Sequence, residues 1–471
     1  MPKKSASSGR IVYVCRECGK ESLRWAGRCP ECQAWNTLEE KVSVVSPKSR
    51  SVAASFAHPP EELSHISTAS RDRMPLPLPE LNRVLGGGLV PGSLVLIGGD
   101  PGIGKSTLLL QIASLVSGKD ASVMYVSGEE TGRQIKLRAE RLGIKGDGLY
   151  LLSETDLDVI LGQIESLKPC LVIVDSIQSV YLSEQESSPG SITQVRECTL
   201  RLMQEAKANS IPVFISGHVT KEGAIAGPRV LEHIVDVVLY LEGEPFSSLR
   251  LLRCVKNRFG GTNEVGVFEM KQEGLIEVPN PSQVFLSERE GATVGSVIVP
   301  VLEGNRPLLV EVQGLTNTTS FGLPRRTSNG IDFSRLLIVT AVLSRRVGLR
   351  LGNQDIIVNV TGGLRLSEPA ADLGVALAIA SSFRDLPIEP ELVVMGEVGL
   401  SGELRPVPQL ERRLAEGSRM GFKRAIVPKA GSRNLHVPQG MGVISVSSLR
   451  DAVRAVWGKG AAIEKAQTEE S

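Results

Sequence analysis

The sequence predicts an α/β protein of several domains, and three observations carry that expectation. The chain has 471 residues, 41% of them apolar and 22% charged, an ordinary globular composition but too long for one hydrophobic core. From about Leu76 short apolar runs alternate with helical patterns, as they do in α/β domains. Four of the seven cysteines fall within the first forty residues. The charge is nearly balanced, net +1, so no global field marks a nucleic-acid binder. Met1–Pro60 nevertheless holds ten Lys and Arg against five Asp and Glu, a basic arm that also fits a merely solvated one.

No stretch approaches the roughly 20 apolar residues of a membrane span. Met1–Arg10 is charged and Ser-rich with no apolar run behind it, so it is not a secretory signal. These features predict a cytoplasmic protein with no membrane partner. In a reducing compartment its cysteines are ligands or core residues rather than disulfides.

Residues 1–40 are expected to form a four-cysteine zinc ribbon. Cys15 and Cys18, then Cys29 and Cys32, make two Cys-x-x-Cys pairs ten residues apart. Each such turn lets two thiolates converge on one Zn²⁺, and four complete its tetrahedron. The alternatives are a redox pair or chance; a lone redox pair would sit on a βαβ unit, and two pairs at this spacing are hard to get by accident. Trp25 and Trp35 either pack around so small a core or lie on its surface as contacts. Residues 41–72, rich in Ser, Ala and Pro, read as a linker.

Residues 73–278 are expected to form a P-loop ATPase domain. LVLIGG, SVMYVSGEE, CLVIVDS and IPVFISGH have the apolar, β-branched character of parallel strands buried on both faces. LRLLRCVKN and EVGVFEM read as a β-hairpin closing the domain. Gly99-Asp100-Pro101-Gly102-Ile103-Gly104-Lys105-Ser106 is a complete G-x-x-x-x-G-K-[ST] motif, continued by Thr107. It follows a strand and opens a helix, the context that turns a Gly-rich turn into a phosphate site. Backbone N–H groups and the helix N-terminus would cradle the phosphates of ATP. Lys105 would bridge them, and Ser106 would bind Mg²⁺.

Asp175 ends the apolar strand LVIVD and is the second candidate Mg²⁺ ligand. Glu129, on a strand expected to neighbour the P-loop, is the candidate that orients the attacking water. Glu130 beside it is the alternative. His218, ending VFISGH, reads equally as a γ-phosphate sensor and as a structural hydrogen-bond partner. Lys256 and Arg258, two positions apart on a strand, should point to one side and grip a phosphate of nucleotide or of DNA. A solvated strand face is the plain alternative.

These segments together resemble the RadA (Sms) family of bacterial recombination and repair factors. The matching motifs run from CRECG…CPECQAWNT through GGDPGIGKST, YVSGEE, VDSIQ and KNRFG to RRTSNGID, GGLRLSEPAADLGVALA and GEVGLSGELRPV. The resemblance covers essentially the whole chain. It implies a DNA-dependent ATPase of the RecA/DnaB class, a homo-hexameric ring that acts on single-stranded and branched DNA beside a recombinase of the RecA type. Its implied work is branch migration. Lys221 and Arg229, in the loop VTKEGAIAGPR, become candidate DNA ligands inside the ring, next to the loop YLSEQESSPGS.

Residues 279–460 resemble the proteolytic domain of Lon, and residues 461–471 read as a frayed tail. The catalytic pattern of Lon is missing. Asp372 stands where the nucleophilic serine would be, and Leu410–Arg413 holds no lysine base. An aspartate has no hydroxyl to attack with, and arginine does not give up its proton. The domain therefore reads as proteolytically inactive, an assembly and DNA-binding platform with Arg325, Arg326, Arg345, Arg346 and Arg350 as candidate contacts. A KaiC-like switch that never translocates is the competing function.

Overall fold

The computed structural model describes residues 10–15, 21–22, 27–28, 38–43, 62, 73–218, 229–243, 247–286, 291–320, 322–433 and 435–458. The chain divides into two units, Met1–Ser70 and Arg71–Ser471. Among the described residues no helix is long and apolar enough to cross a membrane.

The first unit holds a three-stranded antiparallel sheet of β1 (Arg10–Cys15), β2 (Glu21–Ser22) and β3 (Leu38–Ser43), with β1 in the centre. β1 and β3 pair from Cys15↔Leu38 to Arg10↔Ser43. The sheet therefore runs three residues into the stretch whose composition reads as linker.

The second unit opens with α1 (Pro79–Leu85), started by its proline and ended at Gly86 in the left-handed conformation. A run of alternating elements follows: β4 (Leu94–Gly99), α2 (Lys105–Val116), β5 (Val123–Ser127), α3 (Gly132–Arg141) and β6 (Leu149–Leu152). It continues as α4 (Leu157–Leu167), β7 (Leu171–Asp175), α5 (Ile192–Asn209), β8 (Val213–His218), α6 (Arg229–Glu232) and β9 (Val237–Glu242). β10 (Leu249–Asn257), β11 (Val265–Lys271) and β12 (Gly274–Glu277) form an antiparallel tail. The sheet order is β12-β11-β10-β9-β4-β8-β7-β5-β6, and the six strands from β9 to β6 are parallel.

Successive residues of the parallel strands enter two different cores. Val95, Ile97, Tyr125, Ile173 and Phe214 pack under α1, α2 and α3. Leu94, Leu96, Met124, Val126, Val172, Val174 and Ile215 pack under α4 and α5. Burial on both faces is why these strands read as unbroken apolar runs.

The rest of the chain begins with α7 (Pro281–Leu286), β13 (Ser296–Glu303), β14 (Arg306–Thr318), β15 (Arg326–Asn329), α8 (Phe333–Val342) and β16 (Gln354–Val360). Next come α9 (Asp372–Arg384), β17 (Leu392–Val394), β18 (Glu397–Val398), β19 (Leu404–Arg405) and α10 (Leu410–Arg419). β20 (Arg424–Pro428), β21 (Gly442–Val446) and α11 (Leu449–Trp457) complete it. A seven-stranded sheet runs β15-β16-β14-β13-β17-β20-β21, while β18 and β19 pair separately.

The hairpin β10–β11 belongs to both halves of this unit. Leu252, Cys254 and Phe268 face the ATPase core. Leu249, Leu251, Val265 and Val267 instead join a cluster with Val299, Leu308, Val310 and Ala378 of the C-terminal sheet and α9. Alternation along two strands thus makes one hairpin a wall of two cores.

Helix α9 lies almost backbone to backbone on β14 at Gly314, where a Cβ would sit 2.8 Å from the carbonyl carbon of Ala378 and 2.9 Å from the Ile379 nitrogen. Neither obstacle is a side chain that can swing away. Gly314→Ala should therefore cost about 1–3 kcal/mol as an overpacked contact, seen as a lower urea midpoint of the purified protein.

Candidate nucleotide-binding site

The P-loop leaves β4 at Gly99 and enters α2 at Lys105. Gly99 has φ +151°, and a Cβ there would lie 2.4 Å from the Leu241 carbonyl oxygen of β9. Gly104 has φ +115°, and its Cβ would meet Met270 Cε at 2.6 Å. Only glycine fits this path against the sheet. No side chain caps α2, so the N–H groups of its first turn remain for an anion.

Lys105 is buried, and its ammonium donates to the carbonyls of Gly99 at 2.9 Å and Asp100 at 3.0 Å. Burial pushes its pKa below the ordinary lysine value, and the carboxylates of Asp175, Asp100 and Glu129 pull it back. Ser106 and Thr107 are half-buried on the first turn of the helix.

Asp175 ends β7, two strands from β4, with β8 between them. It is 8% exposed. Its two oxygens accept from Tyr125 Oη at 2.6 Å and Ser216 Oγ at 2.5 Å. Burial and the nearby Asp175 charge raise the Tyr125 phenol well above its ordinary value, so it stays a donor. Sequence reading missed both residues; the signal available was a hydroxyl within each of two largely apolar strands.

The expectation that the Glu129 strand neighbours the P-loop strand is corrected. β5 borders β7 and β6, and β7 and β8 separate it from β4. Periodicity identifies a strand but not its place in the sheet, which the crossovers decide. Glu129 nevertheless reaches the site, because Ser176, which follows Asp175, donates its hydroxyl to Glu129 Oε1. Glu130 turns away into an ion pair with Arg138 of α3. Adjacent carboxylates inseparable in the sequence thus have different partners. His218 ends β8 directly beside Gly99; its side chain lies outside the described residues.

The residues present fit Mg-ATP, with glycines where a Cβ would collide, an uncapped helix start, a lysine for phosphate, and Ser106 and Asp175 as hard oxygen donors. Thiolates at Cys15, Cys18, Cys29 and Cys32 are the soft donor set that zinc takes. Cys15 ends β1, and the other three lie outside the described residues.

Asp372, and Arg413 of the segment Leu410–Arg413, are both held in ion pairs. Asp372, at the start of α9 and 2% exposed, takes both forks of the Arg335 guanidinium and the Val398 amide at 3.0 Å. Burial raises its pKa, and the Arg335 and Val398 bonds oppose that. Arg413 on α10 is fully buried, donates to the Pro300 carbonyl at 2.6 Å and forks onto Glu368.

Three family models match the chain: an AAA domain over residues 57–224, a rubredoxin metal binding domain over 13–40, and subunit ChlI of Mg-chelatase over 310–431. The DNA repair protein RadA of Bacillus subtilis is 53% identical over 452 residues, 95% of this chain and 98% of its own length. RadA of Listeria monocytogenes is 50% identical over 444 residues, 94% of this chain and 97% of its own. The chain belongs to the RadA family. A KaiC-like protein of Pyrococcus horikoshii aligns with 44% of this chain and 100% of its own at 19% identity and TM-score 0.37. The family's parts are those built above: a zinc ribbon, a P-loop ATPase core of the AAA/RecA type binding ATP and Mg²⁺, and a C-terminal domain of ChlI/Lon type.

The remaining RadA-family candidates are differently placed. Lys256 follows a bulge in β10 and donates to the carbonyls of Glu232 at 2.6 Å and Val235 at 2.8 Å. Arg258 lies one residue past the strand, in the turn, and pairs with Asp236 at 3.1 Å. The expectation of two cations on one strand is thereby corrected, because β10 ends at Asn257. Both still converge on residues 232–236, the chain leaving α6.

Arg345, Arg346 and Arg350 are exposed around the turn after α8, and Arg325 is exposed before β15. Arg326 is half-buried, and its guanidinium donates to the carbonyls of Gln354, Leu351 and Arg325. Lys221 lies outside the described residues, as does the side chain of Arg229, which opens α6. The loop 181–191 is tied down by buried Gln194, which bonds Leu182, Gln185 and Ser187.

Tyr125→Phe removes one of the two hydroxyl donors of Asp175 and should cost about 1–3 kcal/mol, read as a loss in denaturant stability. Metal analysis should find about one zinc per chain. Cys29→Ser should fall clearly below that figure.

Proposed function

We propose that this chain is a DNA-dependent ATPase motor of recombination and repair, assembled as a homo-hexameric ring, that drives branch migration by moving along single-stranded DNA. The observation that carries the reading is the meeting of Lys105, Asp175 and Glu129, from three separate segments, at the end of one parallel sheet. Lys105 and the α2 N-terminus hold the phosphates, and Glu129 orients the attacking water. Bound Mg²⁺ supplies the charge that neutralises the transferring phosphoryl group.

The loops that would touch DNA start from the same strand ends. Loop 181–191 follows β7 and its Asp175, and the segment holding Lys221 and Arg229 follows β8. Lys256 and Arg258 hold the far end of that second segment and serve as cations for the nucleotide of the neighbouring subunit. A cation of that kind contributes ~10³ or more in rate. The relatives named DNA repair protein RadA support DNA as the substrate, with a RecA-type recombinase as partner and the cytoplasm as location. The C-terminal domain is read as proteolytically inactive, since Asp372 offers no hydroxyl nucleophile and Leu410–Arg413 offers no lysine base.

ATP turnover measured with and without single-stranded DNA tests the proposal against a non-translocating switch. DNA should raise kcat, and its binding should weaken with salt at a log–log slope near −0.7 per neutralised phosphate. Turnover indifferent to DNA would favour the switch.

A further inference from the structure

One hairpin tip of the Lon-like domain, Glu303–Arg306 between β13 and β14, presses into the ATPase core. Arg306 is 7% exposed; its guanidinium pairs with Glu80 of α1 and donates to the carbonyls of Val265 and Pro279 at 3.3 and 3.2 Å. Glu80, 3% exposed, also takes the Val267 amide of β11 at 2.9 Å. Glu303 pairs with Arg253 of β10 at 2.6 Å. At the apex the Asn305 amide donates to the Asn263 carbonyl at 2.5 Å. A Cβ on Gly304 would stand 2.3 Å from that same oxygen, so the two turns touch through backbone.

Asn263 belongs to the turn that carries Arg258. The opposite side of that turn is held by the end of α1. Asn257 Nδ2 donates to the Leu85 carbonyl at 3.2 Å. Arg73 bridges Leu85 and Phe259, donating to their carbonyls at 2.8 and 2.6 Å. The hairpin tip therefore meets the turn twice, directly at Asn263 and indirectly through Glu80 at the other end of α1.

We propose that the β13–β14 tip is a strut that sets the position of Lys256 and Arg258, with Glu80, Glu303, Gly304 and Arg306 as positioning residues. The Lon-like domain then governs ATP turnover at the neighbouring subunit's site without touching nucleotide. This rests on the reading that Lys256 and Arg258 act in trans. A displaced turn lowers the rate of the chemical step and leaves ATP binding at the subunit's own P-loop unchanged.

Mixed assemblies of full-length chains test it. Lys105→Ala subunits keep their cations, Arg258→Ala subunits keep their P-loop, and mixing the two should recover ATPase activity that neither has alone. Gly304→Ala is then added to one subunit at a time, and Glu303→Gln, a milder change, is run in parallel in case the first variant folds poorly. Placed in the Lys105→Ala subunit, either change should cut the recovered kcat by about tenfold with KM within about twofold. Placed in the Arg258→Ala subunit, whose turn already lacks the Arg258 guanidinium, the same change should leave recovery within about twofold. Equal losses in both placements would mark a general structural role and overturn the strut, as would no loss in either. No recovery in the starting mixture would overturn the trans reading, and the strut would fall with it.

Discussion

The arrangement depends most on the double burial of the hairpin β10–β11. One side of each strand completes the ATPase core, and the other completes the core of the C-terminal sheet. Exposing either face would return buried Val, Leu and Phe surface to water at about 25 cal/mol per Å². The two halves of the second unit are therefore held as one body, and the turn carrying Arg258 sits where they meet. Charge reinforces the apolar contact there. Arg306 with Glu80, and Arg253 with Glu303, cross the same junction, and each buried member would be costly to leave alone.

At the nucleotide site the governing issue is a buried cation. Lys105 has lost most of its hydration, and three carboxylates around it offset that loss. Asp175 in turn has both oxygens satisfied by hydroxyls of neighbouring strands, which holds it in one orientation. Glu129 is fixed through Ser176, so the acidic groups are aligned by side chains that themselves carry no charge. Preorganisation of this kind is what electrostatic catalysis of phosphoryl transfer requires.

The C-terminal domain, of ChlI/Lon type, holds two ion pairs with a deeply buried member. Asp372 and Arg413 are each neutralised by a partner of opposite charge. Both belong to packed helices, so these ion pairs contribute to holding the domain together. Arg326 is a comparable case on the surface, since a residue that reads as a free cation is engaged by backbone carbonyls.

Much of this was readable in the chain itself. The P-loop, the strand ending in Asp175 and the paired cysteines are local patterns whose chemistry depends on spacing alone, and the doubly buried strands announce themselves by unbroken apolar runs. Motifs along the whole length placed the chain near the RadA family. Other features required the folded structure, because they depend on contacts between distant segments. The order of β5 in the sheet follows from crossovers that no periodicity encodes. Glu129 and Glu130 are neighbours of the same residue type, and only Ser176 on one side and Arg138 on the other distinguish them. Tyr125 and Ser216 look like ordinary strand residues until the fold sets them against Asp175. The junction between Arg306 and Glu80 spans 226 positions, and a contact at that separation exists only once both cores have closed.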